Sequence, residues 1–457
     1  MLHVWNTLHK KLEEFQPISD KVVGLYTCGP TVYNPATIAN FRTYIFEDVL
    51  KRTLELFGYK VHHVLNITDV GHLVGDGDMG EDKVEREAAK TGASAWDIAK
   101  MYEERFVKDA ERLNIELPEG KDRPHATDYI SEQIALVQKL EENGFTYKTS
   151  DGIYFDTSKF KNYGKFSGQK MEEKEAGARV EINTEKRHPA DFALWKFSQP
   201  NEKRQMEWES PWGVGFPGWH IECSAMSEKL LGQPFDIHCG GVDHIPVHHE
   251  NEIAQSEAAF GKPLAKYWMH GEFLLVNGGR MGKSEGNAYT LDDLIAKGFD
   301  PLAYRYYCLG THYRSKMNFT WEGLEGAQNA LNNLRAAIRK LSTEGAVLPG
   351  IESFKSAIGS DLNTSSGLDV MWGLVKSGRG DIGPTLLEID NVLGLGLDQY
   401  IGKKIEIPLE IKLLADQRLE VRKNKDWAKS DEIRDQIAEK GWTIEDKKDG
   451  YELTPRN

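Results

Sequence analysis

Four side chains between positions 28 and 252 offer the most specific chemistry in this chain. Cys28 stands in Leu25-Tyr-Thr-Cys-Gly-Pro-Thr31, Cys223 closes Trp219-His-Ile-Glu-Cys223, and His248 and Glu252 flank His249-Glu250-Asn251. Two soft sulfurs, one imidazole and one carboxylate make a donor set suited to zinc. His248 and Glu252 are spaced i, i+4, which puts both on one helical face. A second feature is the basic loop Arg280-Met281-Gly282-Lys283-Ser284. Gly278, Gly279 and Gly282 let its backbone approach a ligand, and Lys283 supplies a mobile charge suited to phosphates. It is not a Walker loop, because a form ending at Gly282-Lys283 would need glycine where Asn277 stands. A zinc peptidase motif fails in the same way, since His249-Glu250 would need histidine where Ile253 stands.

The elements that must position these groups begin with a strand, Lys21–Cys28, ending at Gly29-Pro30. Apolar residues then recur at three- and four-residue spacing from Asn40 to Phe57, which predicts a helix stopped at Gly58. Val61–Ile67 predicts a second strand. Strand, helix and strand within about 45 residues form a βαβ unit, hence a parallel sheet of the α/β class. Ligands gather at the carboxyl ends of such strands, where Cys28 and Thr68 fall. A helix start at a strand end, with a distant Lys-Ser loop, suits ATP cleaved at the α-phosphate.

Helices are expected over 84–112 and 127–143. From about 145 to 217, Tyr, Trp, Gly and Pro mix with charges, which predicts an irregular inserted subdomain. Phe235–His238 predicts a returning strand that runs into Cys239-Gly-Gly-Val-Asp243 and the His248 helix. Segments 322–341, 362–376 and 384–393 predict a helical bundle, and Gly394–Pro408 a linker. Beyond it come a helix pair and short β segments at Gly441–Glu445 and Gly450–Leu453.

The chain has 457 residues, about three domains' worth, and 40% are hydrophobic, enough for a sizeable core. No run of ~18 apolar residues is present, and the first residues lack a secretory apolar region. Four cysteines in this length argue against a disulfide scaffold and for a reducing, cytoplasmic setting. The net charge of −14 disfavours nucleic acid as a partner for the chain as a whole. The excess lies before residue 401, however. Within 412–429, six basic side chains (Lys412, Arg418, Arg422, Lys423, Lys425, Lys429) face three acidic ones. A local polyanion contact is compatible with that stretch, as is a plain solvated helix face.

Six blocks in order resemble the cysteinyl-tRNA synthetases, a family of class I aminoacyl-tRNA synthetases. They are Tyr26–Asn34, Arg42–Asp48, Asn66–Asp69, Pro189–Lys196, Pro217–Met226 and His248–Gln255. The resemblance implies a Rossmann-like catalytic domain over 1–315 with an insertion at about 126–210. A helical bundle over 316–400 and an anticodon-binding domain over 401–457 would follow. It implies ATP-dependent attachment of L-cysteine to tRNA(Cys) through cysteinyl-adenylate, by a monomer using Mg2+ with ATP and one Zn2+ per chain. The family's zinc positions fall on Cys28, Cys223, His248 and Glu252, and its spacing does not select His244, His249 or Glu250. Zinc would select a substrate thiolate over serine's hard alcohol. The amino-acid pocket would be Cys28, Gly29, Thr31, Thr68, Trp219 and His238. ATP would meet Thr37, Asn40, Arg280 and Lys283 at its phosphates and Asp243 at its ribose, with Gly241 also in the ATP site. Arg418, Arg422, Trp427 and Arg434 would meet tRNA.

The sequence departs from the family in three places. Thr37-Ile38-Ala39-Asn40 replaces His-Ile-Gly-His or His-Ile-Gly-Asn, so an uncharged donor stands where imidazole is usual. The Lys-Met-Ser-Lys-Ser loop reads Arg280-Met-Gly-Lys-Ser284, which keeps both charges. Cys239 stands where glycine is preferred. Two rival readings are a cysteine:amino-sugar ligase, which needs no anticodon domain, and a non-catalytic zinc-bearing RNA-binding protein.

Overall fold

Val23, Leu25, Tyr26 and Thr27 are all buried, so the strand they form must be covered on both faces. The structure, a computed structural model, describes residues 1–71, 73, 82–168, 184–199, 204–282, 285–403, 406–447 and 450–455. A hairpin comes first, β1 (His3–Asn6) and β2 (Lys11–Glu14). Then come β3 (Val22–Thr27), α1 (Ile38–Leu56) and β4 (Lys60–Leu65), the expected βαβ unit. Helix α1 starts at a reciprocal cap: Asn40 N donates to Thr37 Oγ1, and Thr37 N to Asn40 Oδ1.

Next are α2 (Lys83–Thr91), α3 (Ala95–Arg112) and α4 (Ile130–Glu142). The stretch expected to be irregular is instead a four-stranded antiparallel sheet. It comprises β5 (Thr146–Lys148), β6 (Gly152–Phe155), β7 (Phe192–Phe197) and β8 (Gly215–Pro217), in that order. Its strands are short, and long connections precede β7 and β8, so alternation was too brief to read. Its last strand also lies past the expected end of the insertion at about 210. The sheet shares an apolar core with α4 through Leu136, Val137, Phe155, Phe192 and Trp195.

The chain returns through α5 (Trp219–Leu231) to β9 (Phe235–Gly241), and then through α6 (Glu250–Phe260) to β10 (Ala265–Gly271). The parallel sheet has the order β10-β9-β3-β4. Strand β4 lies on one side of β3 and β9 on the other, so the winding reverses between β3 and β9. That reversal opens a crevice at the carboxyl ends of the strands. Strands β11 (Leu274–Val276), β12 (Gly279–Arg280) and β13 (Met317–Phe319) make a small second sheet. The pairing of β13 with β11 ties residues 317–319 to the catalytic part rather than to the bundle.

Short helices α7 (Leu291–Ala296) and α8 (Pro301–Leu309) precede β13. The bundle follows as α9 (Trp321–Ile338), α10 (Gly350–Ile358), α11 (Thr364–Lys376) and α12 (Gly383–Leu393). Helix α10 was not expected. A buried ionic knot fastens α1 to α8 and the end of α12. Asp48 accepts from Arg52 Nε at 2.9 Å and Arg305 Nη2 at 2.5 Å, and Arg305 Nε donates to Leu393 O at 2.6 Å. Burial alone would raise the Asp48 carboxyl, but the two guanidinium groups hold it below its ordinary range.

The expected linker at Gly394–Pro408 is corrected in its first half. Leu395, Leu397 and Ile401 are buried in the bundle core, because the chain makes an apolar turn before it leaves. Last come α13 (Leu409–Lys423), α14 (Trp427–Glu439) and the hairpin β14 (Trp442–Lys447) and β15 (Gly450–Pro455). These have an apolar core of their own, built on Ile411, Ala415, Ile433, Ile437, Ile444 and Leu453.

Candidate active site

Cys28 follows β3 directly, and its N–H donates to Cys239 O on β9 at 3.2 Å. The register aligns Tyr26 with His238 and Thr27 with Cys239, so both strands end at the crevice together. Cys223 comes from the first turns of α5, and His248 from a π-helical turn (Ile245–His249) that leads into α6, which carries Glu252. The ligand atoms of Cys28, Cys223, His248 and Glu252 lie within 4.8 Å of one another, and all four residues are buried. The expected donor set is therefore assembled.

Its electrostatics suit a cation. Burial disfavours a charge on His248, yet Glu252 and Cys223 raise its imidazole to about 10. A hydrogen bond from the Cys28 thiol brings Cys223 down to about 6, while burial and that same bond push Cys28 up. Glu252 is kept ionised against burial by His238 and His248. Glu252 Oε1 is buried and pairs with His248 Nε2 at 3.1 Å. Two ligand atoms that close are near enough to share one metal ion.

A second quartet, Cys28, His238, His249 and Glu252, meets the same distance criterion. The spacing did not select His249, yet its Nε2 lies 3.3 Å from Cys28 Sγ. The other decoys have separate work. Glu250 accepts the Gly164 and Ser167 N–H groups at 2.8 Å, and His244 sits beside His248, ring centroids 5.2 Å apart.

The expected pocket residues surround the centre. His238 Nε2 is 3.0 Å from Glu252 Oε2, and its ring stacks on Trp268. Trp219 lies over His248 with ring centroids 4.5 Å apart. Thr68 and Thr31 are joined by a backbone bridge that closes the ends of β3 and β4, and Asn66 Nδ2 donates to Thr68 Oγ1. Gly29 fits beneath Asn66, where a Cβ would collide with the Asn66 carbonyl oxygen.

The nucleotide residues are brought to one edge of the crevice. Thr37 pairs with Thr290, just beyond the basic loop, and Ile38 N donates to Tyr289 O at 2.9 Å. Arg280 is exposed at the end of β12, and Asn287 ties the loop by accepting from Gly282 N and donating to Arg280 O. Lys283 and Ser284 lie outside the described residues. Asp243 is exposed beyond β9, and the absence of a side chain at Gly241 leaves room for its carboxylate. Arg42 was missed by sequence reasoning. From α1 it donates to the carbonyls of Glu272, Phe273, His312 and Ser315, fastening the tetrapeptide helix to the chain around the small second sheet. The sequence marked it only as the first residue of a matched block, because its carbonyl partners lie more than two hundred residues away. Cys239 turns away from the site into the core beneath the sheet, with Val23, Leu25 and Ile237.

Comparison with known proteins bears on this geometry. Residues 14–329 match the family model described as the class I (C) tRNA synthetase catalytic domain. The chain is 49% identical over 456 residues to cysteine–tRNA ligase 1 of Burkholderia lata, covering 99% of this chain and 96% of that one. It is 43% identical to cysteine–tRNA ligase of Treponema denticola, with 97% and 98% covered. The chain belongs to the cysteine–tRNA ligase family. Among solved structures, Mycobacterium tuberculosis methionyl-tRNA synthetase with methionyl-adenylate superposes with a TM-score of 0.56 at 15% identity, over 83% of this chain and 91% of that one. That likeness is one of fold, the class I fold of this family.

In the carboxyl-terminal unit the four basic and aromatic candidates separate. Trp427 and Arg434 are exposed, and the Arg422 guanidinium lies 5.4 Å from the Trp427 ring centroid. Arg418 instead faces inward, 3% exposed, with both terminal nitrogens on Asp446 at 2.7 and 3.3 Å. A phosphate contact from Arg418 would require that pair to break. No helix among the described residues is long and apolar enough to cross a membrane.

Proposed function

We propose that this enzyme activates L-cysteine with ATP and transfers it to tRNA(Cys), as a cytoplasmic monomer whose zinc selects the substrate thiol. The observation that carries the reading is the convergence of two thiols, an imidazole and a carboxylate at the carboxyl ends of β3 and β9, where the sheet's winding reverses. Cys28, Cys223, His248 and Glu252 would hold the zinc, which when bound supplies a soft centre for a thiolate and a poor one for serine's alcohol. Trp219, Thr68 and His238 would enclose the substrate, with Gly29 and Thr31 forming the floor.

In the first step the cysteine carboxylate attacks the α-phosphorus of Mg2+-bound ATP and expels pyrophosphate. Arg280, Lys283, Thr37 and Asn40 would hold the phosphates, with Asp243 beside Gly241 on the ribose hydroxyls. Most of the rate would come from positioning and charge stabilisation. In the second step the 2′-hydroxyl of the terminal tRNA adenosine attacks the carbonyl carbon of the mixed anhydride, forming the ester as the acyl–phosphate bond breaks and AMP leaves, with the hydroxyl proton passing to the phosphate or solvent. Arg422, Trp427 and Arg434 would contact the anticodon by phosphate pairing and stacking. The buried free thiols suit a reducing compartment.

The deciding experiment is cysteine-dependent ATP–pyrophosphate exchange, run beside charging of tRNA(Cys). Exchange without charging would favour the amino-sugar ligase, and neither activity would favour a non-catalytic RNA-binding protein.

A further inference from the structure

Helix α1 grips the basic loop at both of its roots. The loop leaves the small second sheet through β11 and β12 and rejoins the ordered chain at Tyr289-Thr290. On the return side, Ile38 N donates to Tyr289 O at 2.9 Å, and Thr37 pairs with Thr290 through a backbone bridge. On the outgoing side, one turn further along α1, the hold is made by the Arg42 guanidinium. Its Nη1 donates to Glu272 O and, at 2.8 Å, to Phe273 O, the two residues that lead into β11. Its Nη2 donates to Ser315 O and, at 3.4 Å, to His312 O, in the segment that leads into β13. Strands β11 and β13 pair in parallel, so one side chain holds the starts of both.

Arginine chemistry suits that place. Its two terminal nitrogens present their N–H groups in one rigid plane, and every acceptor here is a backbone carbonyl, which can only accept. Arg42 is 5% exposed, so water is a poor substitute for any bond it loses. Lysine would keep the charge, but its three N–H groups sit on one atom and cannot span both segments. From β11 the chain turns through Asn277 and Gly278, both at positive φ, straight into β12, where Arg280 is exposed. A shift at the start of β11 is therefore handed to Arg280 through one paired strand and one tight turn. We propose that Arg42 is a positioning residue for adenylate formation, setting the loop's outgoing root against α1 so that Arg280 meets the phosphates of an ATP held at Thr37 and Asn40; this rests on the phosphate contacts proposed above. It adds the side chain that registers one side of the nucleotide site on the other. A misplacement of about 1 Å can cost about 10²-fold in rate.

A double-mutant cycle on the full-length enzyme separates positioning from plain structural support. Cysteine-dependent ATP–pyrophosphate exchange is measured for wild type, Arg42→Lys, Arg280→Ala and the double variant. Arg42→Lys is expected to lose about 10-fold or more in kcat, with the KM for cysteine unchanged, because Arg42 touches none of the residues around Cys28 and Thr68. In the Arg280→Ala background the same change is expected to cost at least about 3-fold less, since the group it aims is gone. Circular dichroism identifies a variant that fails to fold, and Arg42→Gln, whose amide can reach one segment only, then takes its place in the cycle. Equal losses in the two backgrounds, undiminished exchange in Arg42→Lys, or a loss that falls on the KM for cysteine alone would overturn the role of Arg42. Undiminished exchange in Arg280→Ala would instead overturn the phosphate contact on which that role stands.

Discussion

Thr37 shows how one side chain can serve two ends. The sequence marks it only as a departure from the family's histidine, whereas in the structure its hydroxyl caps α1 and pairs with Asn40. Thr37→His should therefore lower stability by about 1 kcal/mol through the lost cap. It should also raise ATP–pyrophosphate exchange, because imidazole brings a donor that can carry charge to the phosphates. Thermal melts and the exchange assay separate the two effects, and slower exchange would mean that the pocket is fitted to the smaller residue. His63 gives a pH test. Burial, with the Lys51 charge, lowers its imidazole to about 3, and its Nε2 sits 2.9 Å from Thr27 Oγ1. Between pH 6.5 and 3 the unfolded chain binds the extra proton, so stability is intact above 6.5 and falls as pH falls towards 3. By pH 5 that one group accounts for about 2 kcal/mol. Urea midpoints of the metal-free enzyme at pH 7 and pH 5 should fall less for His63→Gln than for wild type. Equal falls in the two proteins would remove His63 from the acid response.

The parallel sheet was legible at the level of elements because Val22–Thr27 and Lys60–Leu65 are apolar runs bracketing a helix of clear period. The clustering of Cys28, Cys223, His248 and Glu252 was legible because cysteine is scarce and His248 and Glu252 share a helical face. What escaped was carried by long-range contacts. His249 and Arg42 make their contacts with partners far off in sequence, and the strands β5 to β8 are too short to announce themselves. The inward turn of Arg418 escaped because its partner, Asp446, belongs to the hairpin beyond it. Gly29 tests the junction of β3 and β4, where its N–H donates to Asn66 Oδ1 at 3.0 Å and no room exists for a side chain. Gly29→Ala should push the two strand ends apart. The expected result is a loss of about 3 kcal/mol or more in stability, with zinc content falling as Cys28 moves. A normal melting temperature and one equivalent of zinc would contradict that account.

At the scale of the whole molecule, the carboxyl-terminal unit is a separable piece with its own core. The buried Ile401 moves the sensible cut beyond the bundle's last turn. Deleting residues 406–457 should leave cysteine-dependent exchange nearly intact and sharply reduce charging of tRNA(Cys). Both are to be compared with the full chain at one salt concentration, since phosphate contacts weaken with salt. Equal charging by the two would refute the anticodon assignment. The buried Cys/His/Glu cluster has the opposite character, since it can be finished only late. Glu252 follows Cys28 by more than two hundred residues. At ~5–20 residues per second, a ribosome takes roughly 10–45 seconds to pass from one to the other. For most of that interval, until residues 235–241 are made, the nascent chain carries Cys28 at the tip of a strand still missing its β9 neighbour. On the zinc reading proposed above, a chain stalled before His248 would hold both cysteines of the cluster yet lack its imidazole and carboxylate, so the cage could not close.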